Sequence, residues 1–283
     1  MPGTARPSRR PKLWRTNNQE GKVADLEIET IGRVMVARLN RPEKKNALSE
    51  EMLELLRAAL KSANEDPSIG SFVITGSGDA FCSGGDLGRR GSEADPTPLE
   101  RKRRLQNVTH QVALAVEEFE KPLIAAVNGA AVGAGMDLSL MCDLRFAART
   151  ARFAEAYIRV GLLPGNGGCY FLPRLVGPAK ALELLWTGDF VPAEEALRIG
   201  LVNRVCSADD LMQETIAFAQ RLADGPPIQT RDIKKLMYQS QRTDLRTSLE
   251  TVASHMAVVQ STRDYKEAIL AYKEKRKPVF EGR

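Results

Sequence analysis

The sequence is poor in the side chains that most metal and covalent catalysis requires. Only two histidines occur, His110 and His255, each inside a stretch with helical periodicity, which excludes a histidine-rich metal site or an HExxH zinc protease. The four cysteines, Cys82, Cys142, Cys169 and Cys206, show no CxxC spacing. With no export signal they read as reduced thiols, and the expected compartment is cytoplasmic. No GxSxG elbow and no GxxxxGK[ST] loop is present, and neither Gly76-Ser77-Gly78 nor Gly133-Ala134-Gly135 completes GxGxxG. Serine hydrolase, P-loop and dinucleotide-binding chemistry therefore lack their signatures. Long apolar runs are missing too: nothing approaches the roughly 18 consecutive apolar residues of a membrane span, so no membrane partner is expected.

Acidic residues are scarce at the start of the chain. Residues 1–22 hold six basic side chains against Glu20 alone, and this accounts for the whole net charge of +5. The remainder is neutral overall, so the basic balance implies no nucleic-acid partner. Rich in Pro, Arg and Asn with little to bury, residues 1–22 read as a flexible basic tail. Their lack of acids before Glu20 also suits a transit peptide, which would make the protein mitochondrial. The rest, in a chain 43% hydrophobic and 27% charged, has the composition of a globular protein.

Residues 25–29 and 34–39 alternate in polarity around Ile31-Gly32-Arg33 and predict a hairpin. Ser49, followed by Glu50 and Glu51, predicts a helix to about Asn64. Residues 71–75 read as a short β-rich run, 123–127 as a buried strand, 99–120 as one long polar-faced helix, 143–147 as a strand and 161–168 as a loop. From Pro178 onward the pattern is helical, with one expected strand at 201–205.

Two glycine-rich loops each follow a strand. Phe81-Cys82-Ser83-Gly84-Gly85-Asp86-Leu87 allows close backbone approach to a ligand. Asn128-Gly129-Ala130-Ala131-Val132-Gly133-Ala134-Gly135-Met136-Asp137-Leu138 runs into a helix and presents N–H donors at its positive end. Two such loops can converge on one anionic oxygen.

FCSGGDL resembles the FxxGxDL motif, and NGAAVGAGMDLSLMCDLRFA the NGxxxGGGxELxxxCDxxxA motif, of the enoyl-CoA hydratase/isomerase (crotonase) family. Leu39-Asn40-Arg41-Pro42 with Asn46-Ala47-Leu48 is similar to the family's LNRPxxxNAL segment. Trp186 to Val205 is similar to its TGxxxxAxEAxxxGLVxxV segment. The resemblance implies an α/β fold, a right-handed spiral of ββα units over residues 23–220, closed by a C-terminal helical trimerisation region at 221–283. It implies a homotrimer or a dimer of trimers, an acyl-CoA thioester substrate, and no permanently bound cofactor, coenzyme A entering only as part of the substrate.

The resemblance also assigns residues. The oxyanion-hole amides fall on Gly85 and Ala134, with Ser83, Gly84, Asp86, Leu87, Ala47 and Gly133 beside them; two such donors can supply about 3 kcal/mol each toward a thioester oxyanion. Asp137 stands where the family's hydratases carry their first catalytic glutamate. Tyr157 falls at the second glutamate, a phenol that is a poor base but a suitable hydrogen-bond donor. Glu155 reads as a solvated glutamate, with entry into the site as the alternative, and Asn166 as an amide bordering the acyl pocket. Arg41, Lys44 and Lys45 are cations suited to coenzyme A phosphates. The expected activity is enoyl-CoA hydration or isomerisation. The alternatives are C–C hydrolysis or decarboxylation of a β-keto or malonyl-type CoA ester, for which loss of the glutamate pair matters less, and a non-catalytic scaffold.

Overall fold

The computed structural model describes residues 24–86 and 96–283. The expected basic tail at 1–22 and Leu87 of the first glycine loop lie outside the described residues. The chain opens with the expected hairpin, β1 (Leu26–Ile31) and β2 (Val34–Leu39), paired antiparallel around Gly32, whose φ of 59° lies in the left-handed region that glycine tolerates. Ser49 caps α1 (Glu50–Glu65): its hydroxyl accepts from the Met52 N–H at 3.0 Å and donates to Asp25 Oδ2 at 2.5 Å, and Glu50 and Glu51 fill the favourable first turn. Met52, Leu53, Leu56, Leu60 and Ala63 form the buried stripe of that helix.

Beyond this point the chain lays down strands in pairs. β3 (Ser71–Gly76) is followed by β4 (Ala80–Cys82), β5 (Leu123–Val127) by β6 (Ala130–Val132), and β7 (Leu144–Ala148) by β8 (Arg152–Ala154). The first member of each pair joins one sheet and the second another. The larger sheet has the order β1-β2-β3-β5-β7-β10, parallel from β2 onward, with β10 at Arg204–Cys206; the smaller has the order β4-β6-β8-β9, with β9 at Val191–Pro192. β3 and β5 are buried at every position, as strands covered on both faces must be. This alternation is the repeating ββα unit that the sequence resemblance implies.

Two expectations need correction. The long helix at 99–120 is divided: α2 (Pro98–Arg104), capped by Thr97 with Glu100 in a reciprocal box, passes through a π turn at Leu105–Thr109 before α3 (His110–Glu117). The wide turn brings the His110 ring to the Gly165 carbonyl, with Nε2 and O 2.9 Å apart. The strand expected at 201–205 forms only at Arg204–Cys206, because the Leu201 carbonyl is taken by Arg145 Nε at 2.8 Å.

The helix that matters most for function, α4 (Ala134–Met141), is buried at all eight positions. Its start docks on β4: a Cβ on Gly135 would lie 2.2 Å from the Cys82 carbonyl oxygen, so only glycine permits this approach. Its end is held by the buried Arg145 guanidinium, whose Nη1 donates to the Cys142 carbonyl at 2.6 Å. α5 (Gly168–Val176) packs against α4 and α6 (Pro178–Thr187) against α5, while α7 (Ala193–Arg198) packs on β9 and β10 and α8 (Leu211–Ala223) on the strands of the larger sheet. The C-terminal helices α9 (Pro227–Ser240), α10 (Leu245–Ser261) and α11 (Arg263–Glu274) bury little of their own apolar surface. Among the described residues no helix is long and apolar enough to cross a membrane.

Gly135→Ala is expected to lower stability by about 1–3 kcal/mol, because a methyl group must be forced between two backbones. Urea denaturation of wild type and variant checks this; an unchanged midpoint would mean that α4 is free to retreat from β4.

Candidate active site

Two backbone segments bring the glycine loops together. Residues 44–48 run alongside the first loop: the Ser83 N–H donates to Lys45 O at 2.9 Å, the Leu48 N–H to Gly84 O at 2.8 Å and the Asp86 N–H to Leu48 O at 3.4 Å. Gly84 then sits over the second loop, its Cβ position 3.6 Å from the Ala134 nitrogen. A Cβ on Gly85 would meet nothing within 4 Å, so this residue borders open space. Ala134 is the first residue of α4, where an N–H has no partner within the helix. The first glycine loop and the Ala134 amide thus lie together at the start of a buried helix.

One turn further along α4, Asp137 is fully buried. Its Oδ2 accepts from the Tyr157 hydroxyl at 2.5 Å and from the Asn166 backbone N–H at 3.2 Å. Its Oδ1 has no hydrogen-bond donor among the described residues, and neither oxygen of Glu155 has one. Glu155 is 1% exposed, which corrects the expectation of a solvated side chain. It lies just before the 3-10 turn Ala156–Val160 that carries Tyr157. A Cβ on Gly168 would be 2.6 Å from Asp137 Oδ1 and 2.9 Å from Glu155 Oε1, so the space for both carboxyl groups is the space that glycine leaves open. The Tyr157 ring lies against Gly133, 3.7 Å from its Cβ position, next to the Ala134 amide.

Burial dominates the electrostatics. It pushes the Asp137 carboxyl up to about 6, against the lowering effect of the Tyr157 hydroxyl and the Asn166 N–H. Burial and then the Asp137 charge push Glu155 up to about 10. Tyr157 is raised by burial and by the same charge, and stays a neutral phenol. The arrangement therefore holds one group poised to accept a proton near neutral pH and two that retain theirs.

A family model for enoyl-CoA hydratase/isomerase matches residues 29–283. The chain belongs to the enoyl-CoA hydratase/isomerase family. It is 36% identical over 257 residues to a crotonyl-CoA hydratase of Syntrophomonas wolfei, covering 90% of this chain and 97% of that protein. To the 2,3-dehydroadipyl-CoA hydratase of Escherichia coli it is 34% identical, covering 92% of this chain and all 100% of that protein. A solved enoyl-CoA hydratase of Bacillus anthracis superposes with a TM-score of 0.87 at 33% identity, over 92% of this chain and 100% of that one. One from Polaromonas gives 0.86 at 34% identity, over 90% and 99%. The crotonase fold is thus that of this enoyl-CoA hydratase/isomerase family member.

Most of the residues singled out by sequence meet here, but several do so in other roles. Asn166 is buried and contributes its backbone N–H to Asp137, not a side-chain amide. Arg41 is engaged within the protein: its guanidinium binds Asp86 Oδ2 at 2.9 Å and the Ala47 carbonyl at 2.7 Å, and so fastens the first glycine loop. Lys44 and Lys45 are more open, paired with Asp86 at 3.2 Å and Asp79 at 2.7 Å. Ser83 faces solvent and anchors its hydroxyl on the Lys44 carbonyl at 3.1 Å.

Asn46 was passed over as a site residue. Fully buried with φ of 56°, it donates to the Ser77 and Ala80 carbonyls, each at 2.8 Å, and accepts from the Arg41 N–H at 2.9 Å. The asparagine of the NAL segment was its only signal in sequence.

Both active-site carboxyl groups are raised above their ordinary values, so the folded protein binds more protons than the unfolded chain. Their stabilising contribution is complete in acid and is lost as pH rises through about 6 for Asp137 and about 10 for Glu155. Asp137→Asn removes a buried charge and is expected to be more stable than wild type at about pH 8.5, with a smaller advantage at about pH 5. Denaturant melts at the two pH values check this; an advantage that grows in acid would contradict it.

Proposed function

We propose that this protein acts on acyl-CoA thioesters as an enoyl-CoA hydratase/isomerase, with the Gly85 and Ala134 amides binding the thioester carbonyl and Asp137 moving the proton. The observation that carries this reading is the fully buried Asp137 carboxylate one helical turn beyond the Ala134 amide, with its pKa pushed up to about 6. A base and an oxyanion site on the first turn of one helix suit a reaction that draws a proton at one end of an acyl group and places negative charge at the other.

In hydration, Asp137 takes a proton from water as its oxygen bonds to the acyl β-carbon, and the α–β electron pair moves onto the thioester oxygen between the two amides. Returning a proton to the α-carbon completes the addition. In isomerisation, Asp137 takes the proton from the acyl α-carbon and the same enolate is reprotonated at the γ-carbon. Tyr157, donating to Oδ2, orients the carboxylate in either case and offers a path for the proton to reach it. Lys44 and Lys45 are the cations suited to coenzyme A phosphates, and the chemistry requires no further cofactor.

One observation favours a second reading, C–C cleavage or decarboxylation of a β-keto or malonyl-type CoA ester. Tyr157 occupies Asp137 Oδ2, and the oxygens of Glu155 are closed to solvent, so two-carboxylate activation of water is not preassembled. Against a non-catalytic scaffold stands the stability lost by burying apposed carboxyl groups, which an inert protein has no cause to keep.

The assembly we infer is a homotrimer or a dimer of trimers. Leu245, Leu249, Val258 and Tyr272 on the C-terminal helices are 59–85% exposed, an apolar surface suited to a second copy of the chain. We place the protein in the cytoplasm; import of a reporter fused to residues 1–22 would instead assign it to mitochondria.

Crotonyl-CoA, a 3-enoyl-CoA, a cyclic β-keto-acyl-CoA and methylmalonyl-CoA, each assayed with wild type, Asp137→Asn and Tyr157→Phe, test the reaction. Turnover of one of the first two is expected, with kcat/KM reduced about 100-fold or more in Asp137→Asn and less in Tyr157→Phe. Full turnover by Asp137→Asn on every accepted substrate would remove Asp137 from its role, and turnover of the last two alone would establish the second reading.

A further inference from the structure

We propose that Glu155 is a positioning residue of this site, holding one proton in common with Asp137 so that the pocket contains a single carboxylate charge, on Asp137. In its kinetic consequences this deepens the reading above; as a statement about protonation it stands apart from it.

Three buried carboxyl oxygens, Asp137 Oδ1 and both oxygens of Glu155, complete no well-formed hydrogen bond with another described residue, although the Gly168 N–H lies near Asp137. Two of them, Asp137 Oδ1 and Glu155 Oε1, lie within 3 Å of one point, the missing Cβ of Gly168. Two ionised carboxylates so close and so dry would repel one another with nothing to offset the repulsion. No ion pair reaches either group among the described residues.

Among the neighbouring elements, the Gly168 N–H at the start of α5 lies close enough to Asp137 to favour its charged form, and it brings no proton that Glu155 could share. From the 3-10 turn, the Tyr157 hydroxyl is already committed to Oδ2, the other oxygen of Asp137. Arg159 on the same turn is drawn away to Asp189 at 3.0 Å. From α5, Cys169 senses both carboxyl groups, but its thiol is pushed up and brings no charge. Beside the Gly168 N–H, the side-chain donor within reach of Asp137 is the carboxyl proton of Glu155. Charge and hydrogen bonding then agree: one proton and one negative charge are shared by two carboxyl groups. The raised values of both groups follow from the same contact.

Glu155 acts through Asp137, whose carboxyl group it meets in the space left open by Gly168. With Oδ1 tied to Glu155, the carboxylate of Asp137 is fixed in rotation, and Oδ2 is the oxygen presented to Tyr157. A neutral side chain that still donates should serve as well as the glutamic acid. An apolar one should not.

The test compares wild type with Glu155→Gln and Glu155→Val. In infrared difference spectra of the substrate-free protein at neutral pH, the carbonyl band of a protonated carboxyl group is expected in wild type and absent from Glu155→Gln. In crotonyl-CoA hydration, Glu155→Gln is expected to keep kcat/KM within about three-fold of wild type near pH 7 and to lose the alkaline fall caused by ionisation of Glu155. Glu155→Val is expected to lose about ten-fold or more and to shift the acid limb upward, since Asp137 has lost a donor that favours its charged form.

A spectrum unchanged by Glu155→Gln would overturn the proposal. So would a Gln variant as impaired as the Val variant, or pH profiles that superimpose for all three proteins. If Glu155→Val does not fold, the spectrum and the Gln profile still decide. If wild type turns over no acyl-CoA ester, the proposed activity fails and the infrared comparison alone decides the shared proton.

Discussion

Burial of one carboxylate in a helix that has no exposed face is the constraint around which the rest of this structure is arranged. α4 is covered at all eight positions, and Asp137 on its first turn is the sole charge it carries. A charge in that position has to be met by donors brought from elsewhere in the chain. They come from two later segments: the turn that carries Tyr157 and the loop that presents the Asn166 N–H. The loop is in turn held by the His110 contact to the Gly165 carbonyl, which depends on the π turn ahead of α3. A wide turn in a helix more than 25 residues away in sequence is thereby linked to the position of the carboxylate.

The first glycine loop is set in place by polar groups bonded to protein. Asn46 ties residues 41–46 to the turn after β3, and Arg41 ties the same segment to Asp86 and Ala47. Held this way, Gly84 and Gly85 stand over the start of α4, which Gly135 allows to approach β4 closely. The amides of Gly85 and Ala134 are backbone groups, so their positions are set by this scaffolding and not by the rotamer of any side chain. That is the preorganisation from which oxyanion sites gain their effect.

Much of this was legible in the sequence where local chemistry decides the structure. Ser49 with its acidic followers marks a helix start, the apolar run 123–127 marks a central strand, and the asparagine and glycines of the second loop mark a turn into a helix. Asp137, one charge within AGMDLSLM, could be read as buried because its neighbours are all apolar or small. Glu155 could not. Its neighbours in sequence suggest a solvated turn, and its burial follows from α5 and from Gly168, thirteen residues later, which leaves room for two carboxyl groups. The parts played by Arg41 and by the Asn166 backbone were hidden for the same reason: long-range contacts assigned them to holding the site together, whereas residue type alone suggested contact with ligand.

The proton count of the pocket bears on the chemistry it can support. With Tyr157 and Glu155 retaining their protons, the resting site carries one negative charge, on Asp137. In the reaction we propose, Asp137 accepts a proton as an enolate forms at the Gly85 and Ala134 amides, so that charge moves by about one helical turn and its total does not change. The positive end of α4 lies between the two locations and favours the charge in either place. A second ionised carboxyl group would raise the total to two in a region from which water is largely excluded, and would oppose the enolate. Keeping Glu155 neutral thus lets a dry, fully covered helix carry acid–base chemistry, and it makes the route of the charge, from position 137 toward the amide of position 134, the coordinate along which this site is organised.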